Sequence, residues 1–146
     1  MKAKDIMTKD PVTVTPNATV REAARLMQRE DTGILPVVED GTKKLLGVIT
    51  DRDIAIRVVA EGRDANTLVA DVMSKGRLVA LRPDADVGDA MEKMADEQVR
   101  RIPIIDDRGT LQGIVSQADI VRKARDDRQA ERTVEKISEP SRRHSQ

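Results

Sequence analysis

Two short spacings in this chain hold the residue types that could do chemistry: Thr50-x-x-Asp53 and Ser116-x-x-Asp119, 66 positions apart. Each follows an apolar run, Leu45 to Ile49 and Leu111 to Val115. A hydroxyl residue followed three positions later by an acid marks a helix start. Its side chain caps the N–H groups that the first turn leaves without partners, and the acid accepts in return. The same geometry can hold a ligand. Free N–H groups and the positive end of the helix dipole favour a phosphate. A hydroxyl beside them adds a hydrogen bond, and an Asp one turn in can accept both hydroxyls of a ribose cis-diol. Charge-assisted bonds of this kind contribute about 1.5–3 kcal/mol, roughly tenfold to a hundredfold in affinity. Capping and binding are both open to these residues, and for Thr50 and Ser116 they are compatible.

Phosphates also need cations. The stretch "VRRIPI" supplies Arg100 and Arg101, whose counterparts 67 positions earlier are Gly33 and Ile34, so the two sites differ in charge. An Arg fork suits bidentate contact with phosphate; a solvated Arg pair on a loop is the plainer reading. Arg52 and Lys123 are lesser candidates. Other chemistry is thin. The sole histidine, His144, lies in a polar tail, and cysteine is absent. The acids show no zinc or calcium spacing, and "EDGTKKLLG" lacks the phosphate-loop pattern. No nucleophile–base pair stands out, so neither an enzyme nor a metal site is expected.

Phe, Trp and Tyr are also absent. The core must be aliphatic, and no base can stack on an aromatic ring of this chain, which argues against a single-stranded nucleic-acid platform. Acidic and basic residues balance at 26 each, so no global field attracts nucleic acid or a membrane. No run approaches the ~18 apolar residues of a membrane span, and "MKAKDIMTKD" has no signal-peptide stretch. These features together predict a soluble, cytoplasmic protein with neither nucleic-acid nor membrane partners.

The elements that must position these residues occur twice. "KDIMTKDPVTVTPNATV" answers to "ADVMSKGRLVALRPDADV", and "TGILPVVED" to "VRRIPIIDD". Each half reads as a short extended stretch (Val12–Val14, Leu78–Leu81) and then a helix. Thr19 with Glu22 caps the first helix, and Asp86 with Asp89 forms an acidic version for the second. Apolar residues at Val20, Ala23, Ala24 and Met27, and at Val87, Ala90, Met91 and Met94, give each helix one buried face. Two strands follow around a Gly turn, Ile34–Val38 with Leu45–Ile49 and Ile102–Ile105 with Leu111–Val115. A second helix starts near Asp51 and near Gln117. The unit is β-α-β-β-α, and two such halves are expected to pair with pseudo-twofold symmetry because neither is comfortable alone.

The stretches "DIMT…VTVTP…GILPVVED…GVITDRDI" and "DVMS…VALRP…VRRIPIIDD…GIVSQADI" resemble two tandem CBS motifs. The resemblance covers residues 1 to about 124. It implies an α+β fold of two β-α-β-β-α motifs packed as a pseudo-twofold module: residues 1–61, a linker at 62–66, and residues 67–124. A charged extension, residues 125–146, is expected to begin helical and become mobile after Pro140. The resemblance further implies two clefts for an adenosine ligand: AMP, ADP, ATP, NAD or S-adenosylmethionine, with no cofactor required. Asp53 and Asp119 would hold ribose. Thr50 and Ser116 would contact ribose or phosphate, and Arg100 and Arg101 would reach phosphates. The base would lie among Val12, Thr13, Ile34, Leu35 and Pro36, with Leu78, Val79, Ile102 and Pro103 opposite, although most of these have an obvious core role. A homodimer is implied, as is a regulatory, stress-response role in which ligand shifts the module's shape or dimer geometry for an unknown protein partner. A ligand-free scaffold for dimerisation or docking is the alternative.

Overall fold

The computed structural model describes residues 1–75 and 78–138, with side chains given to residue 133. In chain order the elements are α1 (Ala3–Ile6), β1 (Thr8–Lys9), α2 (Val20–Glu30), β2 (Ile34–Val38), β3 (Leu45–Thr50), α3 (Asp51–Ile54), a π-helical turn (Ala55–Val59), α4 (Val69–Val72), α5 (Val87–Glu97), β4 (Arg101–Ile105), β5 (Leu111–Ser116) and α6 (Gln117–Ser138). The class is α+β, and the halves repeat one plan.

Each half is built on an antiparallel hairpin, β2–β3 or β4–β5. The extended stretch before the helix adds alongside in parallel, through Val14 to Val37 and Leu81 to Ile104. Pro36 fits inside β2 because Val48, opposite it, turns its N–H and C=O away to Ser74 at 3.0 and 2.8 Å. The hairpin therefore asks no N–H of the proline. Gly41 and Gly109 turn the two hairpins with φ of 84° and 80°. Helix α2 buries Val20, Ala23 and Met27. Ala24, placed on that face by its spacing, is exposed, because the buried stripe drifts towards Leu26, which packs on the core. Thr19 and Glu22 form the expected reciprocal cap. Asp86 does not cap α5: its carboxylate instead takes a 2.9 Å bond from Lys2, a chain-distant partner.

That pair belongs to an exchange between the halves. The segment leading into the first half lies on the second. There β1 pairs antiparallel with β5, and the N–H groups of Ala3 and Lys4 donate to Ala85 and Pro83. The segment leading into the second half lies on the first, with Val69 and Ala70 donating to Ala18 and Pro16 and Ser74 bridging to Val48. Val69, Val72 and Met73 belong to the first half's core with Leu35 and Ile49. Ala3 belongs to the second half's core with Ile102, Ile104 and Val115. Each fully buried Val, Leu or Ile side chain contributes about 1.5–3 kcal/mol, so the crossing segments help hold both cores. The hairpin ends also meet, Leu45 N–H to Gly109 and Leu111 N–H to Lys43, over a third cluster of Val38, Leu45 and Leu111.

The exchange explains the glycine that opens each octapeptide, "GVITDRDI" and "GIVSQADI". A Cβ on Gly47 would lie 2.4 Å from the Ser74 carbonyl oxygen, and one on Gly113 would lie 2.7 Å from that of Thr8. The crossing strand passes over each glycine too closely for any side chain.

After the strands the halves diverge. In the first, α3 gives way to the π-helical turn and the chain turns back near Gly62, φ 73°. In the second, α6 continues through 22 residues to Ser138. The end expected to be mobile after Pro140 lies outside the described residues. No helix of the described residues is long and apolar enough to cross a membrane.

Candidate functional site

Both [Thr/Ser]-x-x-Asp spacings fall where a strand runs directly into a helix, β3 into α3 and β5 into α6. There the hydroxyl of Thr50 accepts from the Asp53 N–H at 3.0 Å, and that of Ser116 accepts from the Asp119 N–H at 3.0 Å. The two carboxylates then part company.

Asp53 is committed inside the protein. Its Oδ2 accepts the Thr50 N–H at 2.9 Å, completing the reciprocal cap. Ser74, arriving on the crossing segment, donates its hydroxyl to the same carboxylate at 3.3 Å. Arg57 stands 3.8 Å away and also donates to the carbonyls of Val72 and Met73 at 3.1 and 3.3 Å. The Asp53 side chain is 11% exposed. Asp119, 23% exposed, pairs with Arg122 one turn along α6. Thr8 holds the place in β1 that Ser74 holds on the other crossing segment, 66 positions on.

Asp119 opens into a cleft of about 410 Å³ between the halves. The second half supplies Arg101, Ile114, Ser116 and Asp119. The first supplies Val12, Ile34, Leu35 and Pro36, with Asp10, Pro11 and the helix end at Glu30, Asp31 and Thr32. Thr8 of the crossing strand completes it. The wall is thus partly aliphatic, with one arginine and several carboxylates. Ser116 and Arg101 also line an adjoining cavity of about 660 Å³, together with Arg100, Gln117, Ala118, Val121, Arg122 and Arg125.

The structure therefore gathers Val12, Ile34, Pro36, Arg101, Ser116 and Asp119 in one cleft and puts Arg100 next door. Thr13 is half-buried beside them and is not part of that wall. Thr50 and Asp53 lie at the pseudo-symmetric junction. Ile102 and Pro103 are buried in the second half, with Val79 packed against that core and Leu78 exposed. Sequence reasoning passed over Thr8, Asp10 and Asp31. The signal for Thr8 was available, since "DIMTK" and "DVMSK" align hydroxyl on hydroxyl. It also passed over Arg122 and Arg125, which are three apart on one helix and hence neighbours on its surface.

Titration is perturbed at the Lys2–Asp86 pair. The hydrogen bond and charge of Asp86 raise Lys2 above the ordinary lysine value, and Lys2 lowers Asp86 below the ordinary carboxylate value.

The two halves repeat one plan, interlock through their leading segments and enclose a cleft at a strand–helix junction. The chain belongs to the CBS domain family, whose model matches residues 3–60 and 69–126. It is 48% identical over 117 residues to the CBS domain-containing protein YhcV of Bacillus subtilis, spanning 80% of this chain and 81% of that one. It is 37% identical over 120 residues to Hypoxic response protein 1 of Mycobacterium tuberculosis, spanning 82% of each. Among solved structures it resembles the CBS domain pair of protein MJ0100 in complex with 5′-methylthioadenosine and S-adenosyl-L-methionine. That match has a TM-score of 0.76 at 28% identity and covers 87% of this chain and 98% of the other.

Proposed function

We propose that this protein is a regulatory module that binds an adenosine ligand in the cleft at Ser116 and Asp119. One observation carries the reading: Ser116, Asp119 and Arg101 from the second half converge with Val12, Ile34 and Pro36 from the first on one space of about 410 Å³. That volume suits a small ligand. Aliphatic walls accept a base, the Asp119 carboxylate accepts ribose hydroxyls, and the Ser116 hydroxyl and Arg101 meet a phosphate. The adenosine compounds bound to the similar MJ0100 pair support the ligand class. A ligand there touches both halves, so it biases their relative arrangement, or the packing of two copies, by whatever difference in affinity it has for the two states. Such a change is read by a protein partner, and the role is regulatory rather than catalytic.

A second reading, a ligand-free scaffold for dimerisation or docking, is favoured at the other junction by the saturation of Asp53. The two readings make the clefts unequal. Calorimetric titration with AMP, ATP, NAD and S-adenosylmethionine, on the native protein and on Asp53→Ala and Asp119→Ala, separates them. The expected result is saturable binding at one site per chain, lost in Asp119→Ala and kept in Asp53→Ala. Flat traces from folded protein would leave the scaffold standing.

A further inference from the structure

We infer that the outer face of α6 is a docking surface for an acidic segment of a partner protein, held by a line of arginines at Arg125, Arg128 and Arg132. Docking there does not depend on which ligand fills the cleft.

Helix α6 serves two places. Its first turn packs on the second half, where Ile120 belongs to the core. Its later turns leave the body: every residue from Arg128 to Thr133 is exposed, and the helix runs on to Ser138. The first half shows that the fold does not need this length. There the matching helix gives way to the π-helical turn, which ends at Val59. A helix end that packs on nothing in its own chain is marginal by itself, and a partner lying along it supplies the missing contacts.

The spacing gives the partner's chemistry. At 3.6 residues per turn, Val121, Arg125, Arg128 and Arg132 fall within an arc of about 60° and span roughly 16 Å of the helix. Asp126, Asp127 and Glu131 lie at least about 60° outside that arc. The ion pairs of α6 are Arg122 with Asp119 and Lys123 with Asp127, and no described carboxylate pairs with Arg125, Arg128 or Arg132. At the root of the line Val121 is 54% exposed. A partner that fits is anionic and sets an apolar side chain beside its charges. Carboxylates meet the first need, because a guanidinium fork bonds both oxygens of one.

A nucleic acid fits less well. The acids across α6 lie about 10 Å from the arginines, within a Debye length of about 10 Å, so a dense run of phosphates feels their repulsion. The chain has zero net charge and no aromatic ring to offset it. A membrane surface needs a broad apolar face to bury, and Val121 is the one apolar member of the line.

The test is fluorescence anisotropy of the full chain with a fluorescein-labelled peptide of repeated Glu-Glu-Leu-Ala, run without any adenosine compound. A Lys-Lys-Leu-Ala peptide, a single-stranded oligonucleotide and phosphatidylserine vesicles are compared under the same conditions. Circular dichroism confirms that the double variant Arg128→Glu with Arg132→Glu folds. The Glu peptide should bind saturably, and more weakly as salt is raised. Its affinity should fall at least about tenfold in the double variant, the value of one charge-assisted bond, and be largely kept in Arg128→Lys with Arg132→Lys. The Lys peptide should not bind. No binding of the Glu peptide, or equal binding in the folded double variant, would overturn the inference. Tighter binding of the oligonucleotide or the vesicles, lost in the same variant, would overturn it in favour of a phosphate-bearing partner. Sedimentation in which the double variant forms a smaller particle than the native protein would assign the face to a second copy and overturn it too.

Discussion

Asp53 and Asp119 are the same residue of the same motif, and their surroundings give them different work. Asp53 accepts from a backbone N–H and a serine hydroxyl and has an arginine 3.8 Å away, all supplied by the chain. Removing it strips the acid half of the reciprocal cap and leaves the Ser74 hydroxyl without that acceptor, a loss of about 1–3 kcal/mol. Asp119 pairs with an exposed arginine, and exposed pairs contribute little to stability. The expected outcome in urea unfolding is that Asp53→Ala lowers the midpoint clearly and Asp119→Ala much less. The ligand titration should rank the two variants in the opposite order. The hydroxyl–acid spacing was legible in the sequence, and so was its place at a helix start. What divides the two sites was not, because Ser74 and Arg57 reach Asp53 from 21 and 4 positions away and only the folded chain brings Ser74 there.

At the scale of elements, periodicity and capping residues located α2, α5 and the two hairpins closely, with α3 and α6 starting at Asp51 and Gln117 as the motif requires, whereas the short α1, β1 and α4 of the leading segments went unread. Local pattern could not reveal which half a leading segment joins. "DIMTK" reads identically whether it packs on its own half or on the other. For the same reason Asp86 reads as a cap, although Lys2 from the crossing segment claims its carboxylate. That pair makes the docking of the leading segment pH-sensitive. The depressed Asp86 stabilises the fold at pH values above the ordinary carboxylate value, and this is lost as pH falls through its lowered folded value. The raised Lys2 contributes below the ordinary lysine value, and this is lost as pH rises through its raised folded value. The effect is small because both groups are exposed. The melting temperature of Asp86→Asn should therefore lie slightly below that of the native protein at neutral pH, and the gap should close in acid beneath the carboxylate range.

On the scale of the whole molecule, a zero net charge conceals an uneven distribution. Arg100, Arg101, Arg122 and Arg125 line one cavity beside the second half, and the repeat places Gly33, Ile34, Ile56 and Val59 at the matching positions of the first, so a backbone that is nearly twofold carries a local charge polarity. The pseudo-symmetry was plain from the repeat, whereas this polarity appears only when α6 brings Arg122 and Arg125 beside Arg100 and Arg101. The crossing of the leading segments has its own consequence. A cut in the connection at residues 62–66 would separate two pieces, each lacking the segment that completes its own core and sheet and carrying the segment its counterpart lacks. Neither piece can complete itself, and mixing them supplies both deficits at once. Separately expressed fragments 1–61 and 67–146 should give little structure by circular dichroism alone and recover the native spectrum when combined in equal amounts. The molecule is in effect already written as a two-part complementation pair whose parts happen to share one chain.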